Sequence, residues 1–118
     1  MAWDVEGTDQ FKAWFFGLAD AEDRAVSEAI DALITTGPSL GRPFVDTLSS
    51  SRIPNLKELR PKRNDIRIIF VFDPRRMSIL ILGGSKTNDW QGWYERNIPE
   101  AERLYADYLS ELRKEGML

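Results

Sequence analysis

The chain has 118 residues and a formal net charge of −3, and it contains neither cysteine nor histidine. These absences exclude disulfides, thiol catalysis, zinc sites of the usual Cys/His kind and Ser-His-Asp triads, so acid–base chemistry falls to Lys, Arg, Tyr, Asp or Glu. Because a typical domain has about 100–150 residues, a single domain over residues 1–118 is expected.

Charge is distributed unevenly along the chain. Residues 1–51 carry nine acids and three bases, residues 52–86 carry three acids and nine bases, and residues 87–118 carry seven acids and four bases. The basic middle segment is expected either to present an anion-binding face or to be only a solvated basic hairpin.

The sequence also indicates where the protein resides. No apolar run approaches the roughly 18 residues of a membrane span. The acidic N-terminal residues lack the apolar core of a signal peptide. A cytoplasmic protein without membrane contact is therefore expected.

The first half of the chain predicts a strand followed by two helices. Alternating apolar and acidic residues predict a strand over Trp3 to Glu6. Thr8 or Asp9 is expected to cap a first helix, and Asp20 a second helix that ends at Gly37-Pro38. Two helices with so short a connection form an αα-hairpin.

The middle of the chain predicts strands. Residues 38–55 are rich in Pro, Gly and Ser and favour a loop, with at most one short strand at Phe44 to Leu48. Three further strands are predicted at Leu56 to Arg60, Ile66 to Phe72 and Ser78 to Leu82, the last two joined by a turn over Asp73 to Met77. The last two strands are apolar on both faces, so both faces are expected to be covered.

The C-terminal third predicts a helix with one apolar stripe. Pro99 is expected in its first turn and Gly116 just beyond its end, with residues 89–96 as a separate turn or short helix. The predicted order is β-α-α-β-β-β-α. This is an α+β fold with a small antiparallel sheet, an αα-hairpin after the first strand and a C-terminal helix.

Several motifs resemble a known family. They are Asn55 to Pro61 (NLKELRP), Ile66 to Pro74 (IRIIFVFDP), Leu82 to Lys86 (LGGSK), Trp93-Tyr94 and Ile98 to Ala101 (IPEA). Together they resemble the HigB-like branch of the RelE/ParE toxin superfamily, over residues 55–112 by motif and over the N-terminal hairpin by element order. The resemblance implies a RelE-like fold and a toxin neutralised by a cognate helix-turn-helix antitoxin, with higher-order toxin–antitoxin complexes as a further expectation.

The resemblance leaves the target open. It implies either a metal-independent endoribonuclease that cleaves mRNA on the ribosome, which we favour, or a ParE-like inhibitor of DNA gyrase without nuclease activity. A non-toxic module that only binds a helix-turn-helix antitoxin is a third alternative. The isoelectric point of about 5.0 favours the two alternatives, because acidity weakens non-specific affinity for RNA. No metal or cofactor is expected.

Cleavage of RNA through its own 2′-hydroxyl needs cations around the phosphate and a group that accepts a proton. Arg67, near the start of an apolar strand, is the first catalytic candidate, and its alternative is a rim salt bridge to Glu58 or to an N-terminal acid. Arg60 lies on the neighbouring predicted strand. Simple alternation places Lys86 on the opposite face from Arg67, and a bulge at Gly83-Gly84 is expected to bring it back.

Aromatic and further basic residues complete the expected site. Tyr94 or Tyr108 is a candidate acid–base participant; the RelE resemblance suggests Tyr108, whereas its place on the helical stripe favours packing in the core. The RNA-binding candidates are Lys57, Lys62, Arg63, Trp90 and Trp93. Lys62 and Arg63 are expected to steer RNA, and Lys57 to lie behind Arg60 at the cation site, with a solvated position as the alternative. The tryptophans are expected to stack on bases, with packing as the alternative.

Overall fold

The computed structural model describes residues 2–63 and 65–118. Within these residues the elements are, in chain order, β1 (Val5–Gly7), α1 (Asp9–Phe16), α2 (Asp20–Thr36), β2 (Val45–Thr47), β3 (Lys57–Leu59), β4 (Ile66–Phe72), β5 (Ser78–Ser85) and α3 (Trp90–Lys114). The strands form one sheet in the order β1-β5-β4-β3-β2. The predicted α+β fold is confirmed, and the short strand considered within residues 44–48 is present as β2.

The pairing of the strands explains this order. From β2 to β5 each strand pairs antiparallel with the next one in the chain. β1 lies parallel to β5, with Val5 opposite Ser78, so the sheet is mixed at this edge rather than antiparallel throughout. The αα-hairpin carries the chain from β1 to β2, at the opposite edge of the sheet.

Helices cover both faces of the sheet, as the apolar character of β4 and β5 predicts. Ile68 and Phe70 pack with residues of α1 and α2 on one face, which we call the hairpin face. Ile69 and Val71 pack with residues of α3 on the other, which we call the α3 face. In the described part of the chain no helix is long and apolar enough to cross a membrane.

Two helix ends differ from the prediction. Asp20 does not cap α2 but is its first residue; Ala19 is the N-cap, and its N–H donates to Glu22 Oε1. The expected separate segment at residues 89–96 and the placement of Pro99 in a first turn are wrong, because α3 runs unbroken from Trp90 through Pro99. Gly116 lies just past the end of α3 with φ of +74°, as predicted.

A β-bulge lies between β4 and β5. Their register changes between Ile69 and Phe70, whose partners are Leu82 and Leu80, which leaves Ile81 as one extra residue in β5. A bulge was expected two residues later, at the glycines. As a result Ile81 and Leu82 both face α3 although they are consecutive. Each residue of β5 after the bulge therefore lies on the face opposite to the one that simple alternation along the strand predicts for it.

The hydroxyl of Thr8 supports this bulge. It accepts a hydrogen bond from the Phe11 N–H at 3.1 Å, as the predicted N-cap of α1, and donates to the Ile81 carbonyl at 2.6 Å. We expect Thr8→Val to lower the free energy of unfolding by about 1–3 kcal/mol, because it removes both bonds at a buried position. Urea denaturation measures this. Thr35→Val, at an exposed position of α2, should change stability by less than about 0.5 kcal/mol.

Candidate functional site

A cluster of charged side chains lies on the α3 face of the sheet, at the end where β4 begins. It contains Glu58 and Arg60 at β3, Arg67 on β4, Lys86 just after β5 and Tyr94 on α3. Glu58, Arg67 and Lys86 are 3%, 8% and 1% exposed, respectively. We call these five residues the cation cluster, since it holds three cations and one carboxylate.

The bulge at Ile81 brings Lys86 into this cluster. Because of the extra residue, Arg67 pairs with Gly84 rather than with Gly83. Lys86 follows two residues after Gly84 and therefore lies on the same face as Arg67. A bulge thus places Lys86 on the face of Arg67, as expected, but it lies at Ile81 and not at Gly83-Gly84 as predicted.

Gly83 and Gly84 have a different role from the one expected. A Cβ on Gly83 would collide with the indole of Trp14 on the hairpin face. A Cβ on Gly84 would lie 2.8 Å from Nε1 of Trp93 on the α3 face. The two glycines therefore give two tryptophans room to pack against the sheet.

Glu58 connects the cluster. Its Oε1 accepts hydrogen bonds from Arg60 Nε at 2.9 Å and Nη2 at 2.7 Å. Its Oε2 accepts one from the Tyr94 hydroxyl at 2.6 Å and lies 3.9 Å from Arg67 Nε. Arg67 also donates from Nη1 to the Ile66 carbonyl at 2.7 Å. The salt bridge from Arg67 to Glu58, which is the alternative to a catalytic role, is thus present but long, at 3.9 Å. The same carboxylate also accepts hydrogen bonds from Arg60.

Lys86 lies beneath the indole of Trp90. Its Nζ is 2.8 Å from the ring centroid. Among the residues that the structure describes, no hydrogen-bond acceptor lies within reach of this Nζ. Burial and then the charge of Arg67 lower the pKa of Lys86 to about 8. The amine is therefore present in both its neutral and its charged form near neutral pH.

Tyr94 has the opposite character. Burial, followed by the hydrogen bond to Glu58 and the charge of that carboxylate, raises the pKa of Tyr94 to about 12. A phenol with this pKa stays protonated at neutral pH, and its proton is directed at Glu58. This arrangement suits an anchoring role better than that of a base.

Two residues expected at the site lie elsewhere. Trp93 is 5% exposed, within the core between α3 and the sheet, so it is not available to stack on a base. The Tyr108 hydroxyl donates to the carboxylate of Glu6 on β1, which also lies near Arg75 in the turn between β4 and β5. Burial and this hydrogen bond raise the pKa of Tyr108 to about 12. Glu6 lies level with Val71, about 13 Å along β4 from Arg67. Tyr108 is thus outside the cation cluster.

The three basic candidates for RNA binding do not lie together. Lys57 pairs with Phe70 and so lies on the hairpin face, where its Nζ donates to Thr47 Oγ1 at 3.2 Å. Lys62 forms an exposed salt bridge of 2.8 Å with Glu28 of α2. Arg63 is exposed and lies near Asp65. Lys57 in particular is on the wrong face to contribute to the cation cluster.

Glu58 is a member of the site that the sequence predicts only as a rim partner for Arg67. Its signal is its place in Lys57-Glu58-Leu59, where alternation puts the acid on the same face as the apolar Ile69, its partner in β4. A carboxylate at a buried sheet position requires cationic partners.

The indole of Trp90 is expected to control the titration of Lys86. Trp90 is 67% exposed while it covers the amine. We expect Trp90→Ala to raise the pKa of Lys86 above about 8, because hydration of the ammonium outweighs the loss of its cation–π contact with the indole. Titration of Lys86 Nζ by nitrogen-15 NMR measures this. Trp90→Phe, which keeps a ring, should give a smaller change, and an unaltered pKa in the alanine variant would show that the indole does not shield the amine.

Comparisons with known proteins identify the family of this chain. A family profile described as "Phage derived protein Gp49-like" matches residues 13–106, most of the chain. The chain belongs to the Gp49-like family. It is 46% identical over 101 residues to the Mycobacterium tuberculosis protein "Putative toxin HigB3", covering 86% of this chain and 89% of that protein. The predicted resemblance to HigB-like members of the RelE superfamily is confirmed.

Two further similarities extend the comparison. "Putative toxin HigB2" of M. tuberculosis is 38% identical over 114 residues, which cover 94% of this chain but only 56% of that longer protein. RelE in the archaeal RelE–RelB complex from Pyrococcus horikoshii superposes with a TM-score of 0.57 at 20% identity, covering 75% of this chain and 99% of that one. At this identity the structural likeness establishes a shared fold.

Within residues 2–63 and 65–118, no group of three or more His, Cys, Asp or Glu side chains is arranged to hold a metal ion. The side chains of the cation cluster offer guanidinium, amine, phenol and carboxylate groups.

Proposed function

We propose that this chain is the toxin of a type II toxin–antitoxin pair and that it cleaves mRNA on the ribosome without a metal ion. The observation that carries this proposal is the convergence of Arg60, Arg67 and Lys86 on one face of the sheet. The similarity to proteins named as HigB toxins supports the toxin role.

The cluster suits cleavage through the 2′-hydroxyl of the RNA. The neutral amine of Lys86 accepts the 2′-hydroxyl proton, and the 2′-oxygen attacks the phosphorus. The bond from phosphorus to the 5′-oxygen breaks, and this oxygen takes a proton from solvent. The products are a 2′,3′-cyclic phosphate and a 5′-hydroxyl. The guanidinium groups of Arg60 and Arg67 stabilise the negative charge that develops on the phosphate oxygens.

Access to Lys86 requires Trp90 to move. The indole covers an amine that is 1% exposed, so a phosphate reaches Lys86 only when the ring swings outward. The displaced ring is then able to stack on an unpaired base of the mRNA, the role proposed for it from the sequence. Lys62 and Arg63, which are exposed, are proposed to steer the RNA.

The partners follow from the same proposal. The structurally similar RelE is described in a complex with RelB. We propose that a cognate helix-turn-helix antitoxin binds this chain, alone or in a higher-order complex, and that the toxin acts in the cytoplasm on ribosomes and mRNA.

Inducible expression in a bacterial host tests the proposal. We expect translation to stop within minutes and mRNA to acquire new ends at positions set by the codon register. An induced Lys86→Arg variant is the matched control. A DNA-damage response with intact mRNA would instead indicate a gyrase inhibitor, and harmless accumulation of folded protein would indicate a module that only binds its antitoxin.

A further inference from the structure

The carboxylate of Glu58 contacts three other members of the cation cluster, Arg60, Arg67 and Tyr94. Both of its oxygens are engaged: Oε1 accepts two bonds from Arg60, and Oε2 accepts the Tyr94 hydroxyl at 2.6 Å and lies 3.9 Å from Arg67 Nε. The side chain of Glu58 is 3% exposed, so these contacts are made away from water. Groups from β3, β4 and α3 thus share one buried anion.

Neither the carboxylate nor the cations would be stable at this position alone. A buried carboxylate without partners is strongly unfavourable, so Glu58 depends on the guanidinium groups. Arg67 and Lys86 in turn repel one another, and Glu58 is the buried anion beside them. We propose that Glu58 is the positioning residue of the site, which fixes Arg60, Arg67 and Tyr94 around one point and holds Lys86 beside two guanidinium groups.

The charge of Glu58 also acts on Lys86. The charged groups that act most on this amine are Arg67 of β4, Glu58 of β3, Arg60 just after β3 and Asp65 just before β4. The neutral indole of Trp90 covers the amine from α3. The two arginines disfavour the ammonium form, and the two carboxylates favour it. Loss of the Glu58 charge should therefore move the titration of Lys86 further below its present value.

The variant Glu58→Gln tests this without any RNA. Glutamine has the same shape and can still accept a bond from Arg60. By nitrogen-15 NMR we expect Lys86 to titrate below its wild-type pKa of about 8. Asp46→Asn is the matched control, because Asp46 also accepts a bond from Arg60, at 3.2 Å, but is not among the groups with the largest effect on the pKa of Lys86. An unchanged Lys86 titration in Glu58→Gln would overturn the proposal.

A kinetic measurement extends the test, and this part rests on the proposed cleavage of mRNA. With Glu58→Gln we expect the maximal rate on ribosomes to fall about 10²-fold, because a neutral amide holds the guanidinium groups of Arg60 and Arg67 less firmly than a carboxylate does. The pH at which the rate levels off should also fall, together with the Lys86 pKa. A merely structural role would lower stability without moving the pH profile. If the protein cleaves no RNA, the NMR titration still decides the role of Glu58.

A second variant covers the case in which Glu58→Gln does not fold. Glu58→Asp keeps the charge but is one methylene shorter, so it cannot reach both Arg60 and Tyr94. We expect the phenol of Tyr94 to titrate below its wild-type pKa of about 12, as measured by ultraviolet absorbance, while Lys86 keeps its wild-type titration. A Tyr94 titration identical to wild type would contradict the proposed positioning.

Discussion

Replacing Arg67 with lysine is expected to lower the rate of mRNA cleavage on ribosomes by about 10²- to 10³-fold while the protein stays folded. Lysine keeps the positive charge beside Glu58 and can still donate to a backbone carbonyl. It lacks the planar fork that matches two phosphate oxygens at once. Single-turnover cleavage with purified ribosomes measures the rate, and thermal unfolding followed by circular dichroism monitors the fold.

Arg113→Lys is the control for this substitution, since Arg113 is exposed near the end of α3 and outside the cluster. It should cleave at the wild-type rate. If the Arg67→Lys protein is folded and cleaves as fast as wild type, Arg67 is not part of the site.

The second large effect is expected at Lys86. Arginine at this position keeps the positive charge but has a pKa too high to accept a proton. If Lys86 is the general base, Lys86→Arg should lower the cleavage rate by about 10²- to 10⁴-fold. The same variant should no longer stop growth when it is induced in cells.

Lys114→Arg is the matched exchange at an exposed position of α3, and it should change neither rate nor toxicity. Wild-type activity in a folded Lys86→Arg protein would show that Lys86 contributes only its charge. The cluster would then be a phosphate-binding site whose proton acceptor lies elsewhere.

Local sequence patterns were sufficient for much of the fold. The alternation in β4 correctly separated Arg67, Ile69 and Val71 from the residues on the hairpin face. The apolar character of both faces of β4 predicted cover by helices on each side. These patterns succeed because they depend on the period of the strand, which neighbouring residues in the sequence determine.

The face of Lys86 could not be derived in the same way. It depends on the extra residue Ile81, whose carbonyl is satisfied by the Thr8 hydroxyl from 73 residues away. The bulge was predicted at Gly83 and Gly84 because glycines are common at bulges. These two glycines instead leave room for the indoles of two tryptophans. Such long-range contacts have no local signature in the sequence.

Pro99 and Tyr108 show two further limits. Proline is usually found at the start of a helix, because it has no N–H to donate to the carbonyl four residues earlier. In α3 that carbonyl belongs to Glu95. Both Glu95 and Pro99 are exposed, so water can satisfy this carbonyl. Tyr108 was included because of the family resemblance, but it lies with Glu6 at the other end of the sheet. Glu58 was overlooked because its partners come from three different elements.

The pH dependence of single-turnover mRNA cleavage on programmed ribosomes tests most directly whether Lys86 acts as a base within the cation cluster. Only the neutral amine accepts a proton, and its pKa is about 8. The rate should therefore rise about tenfold per pH unit well below this value and level off above it. A rate that is independent of pH, or that falls as Lys86 loses its charge, would contradict this mechanism.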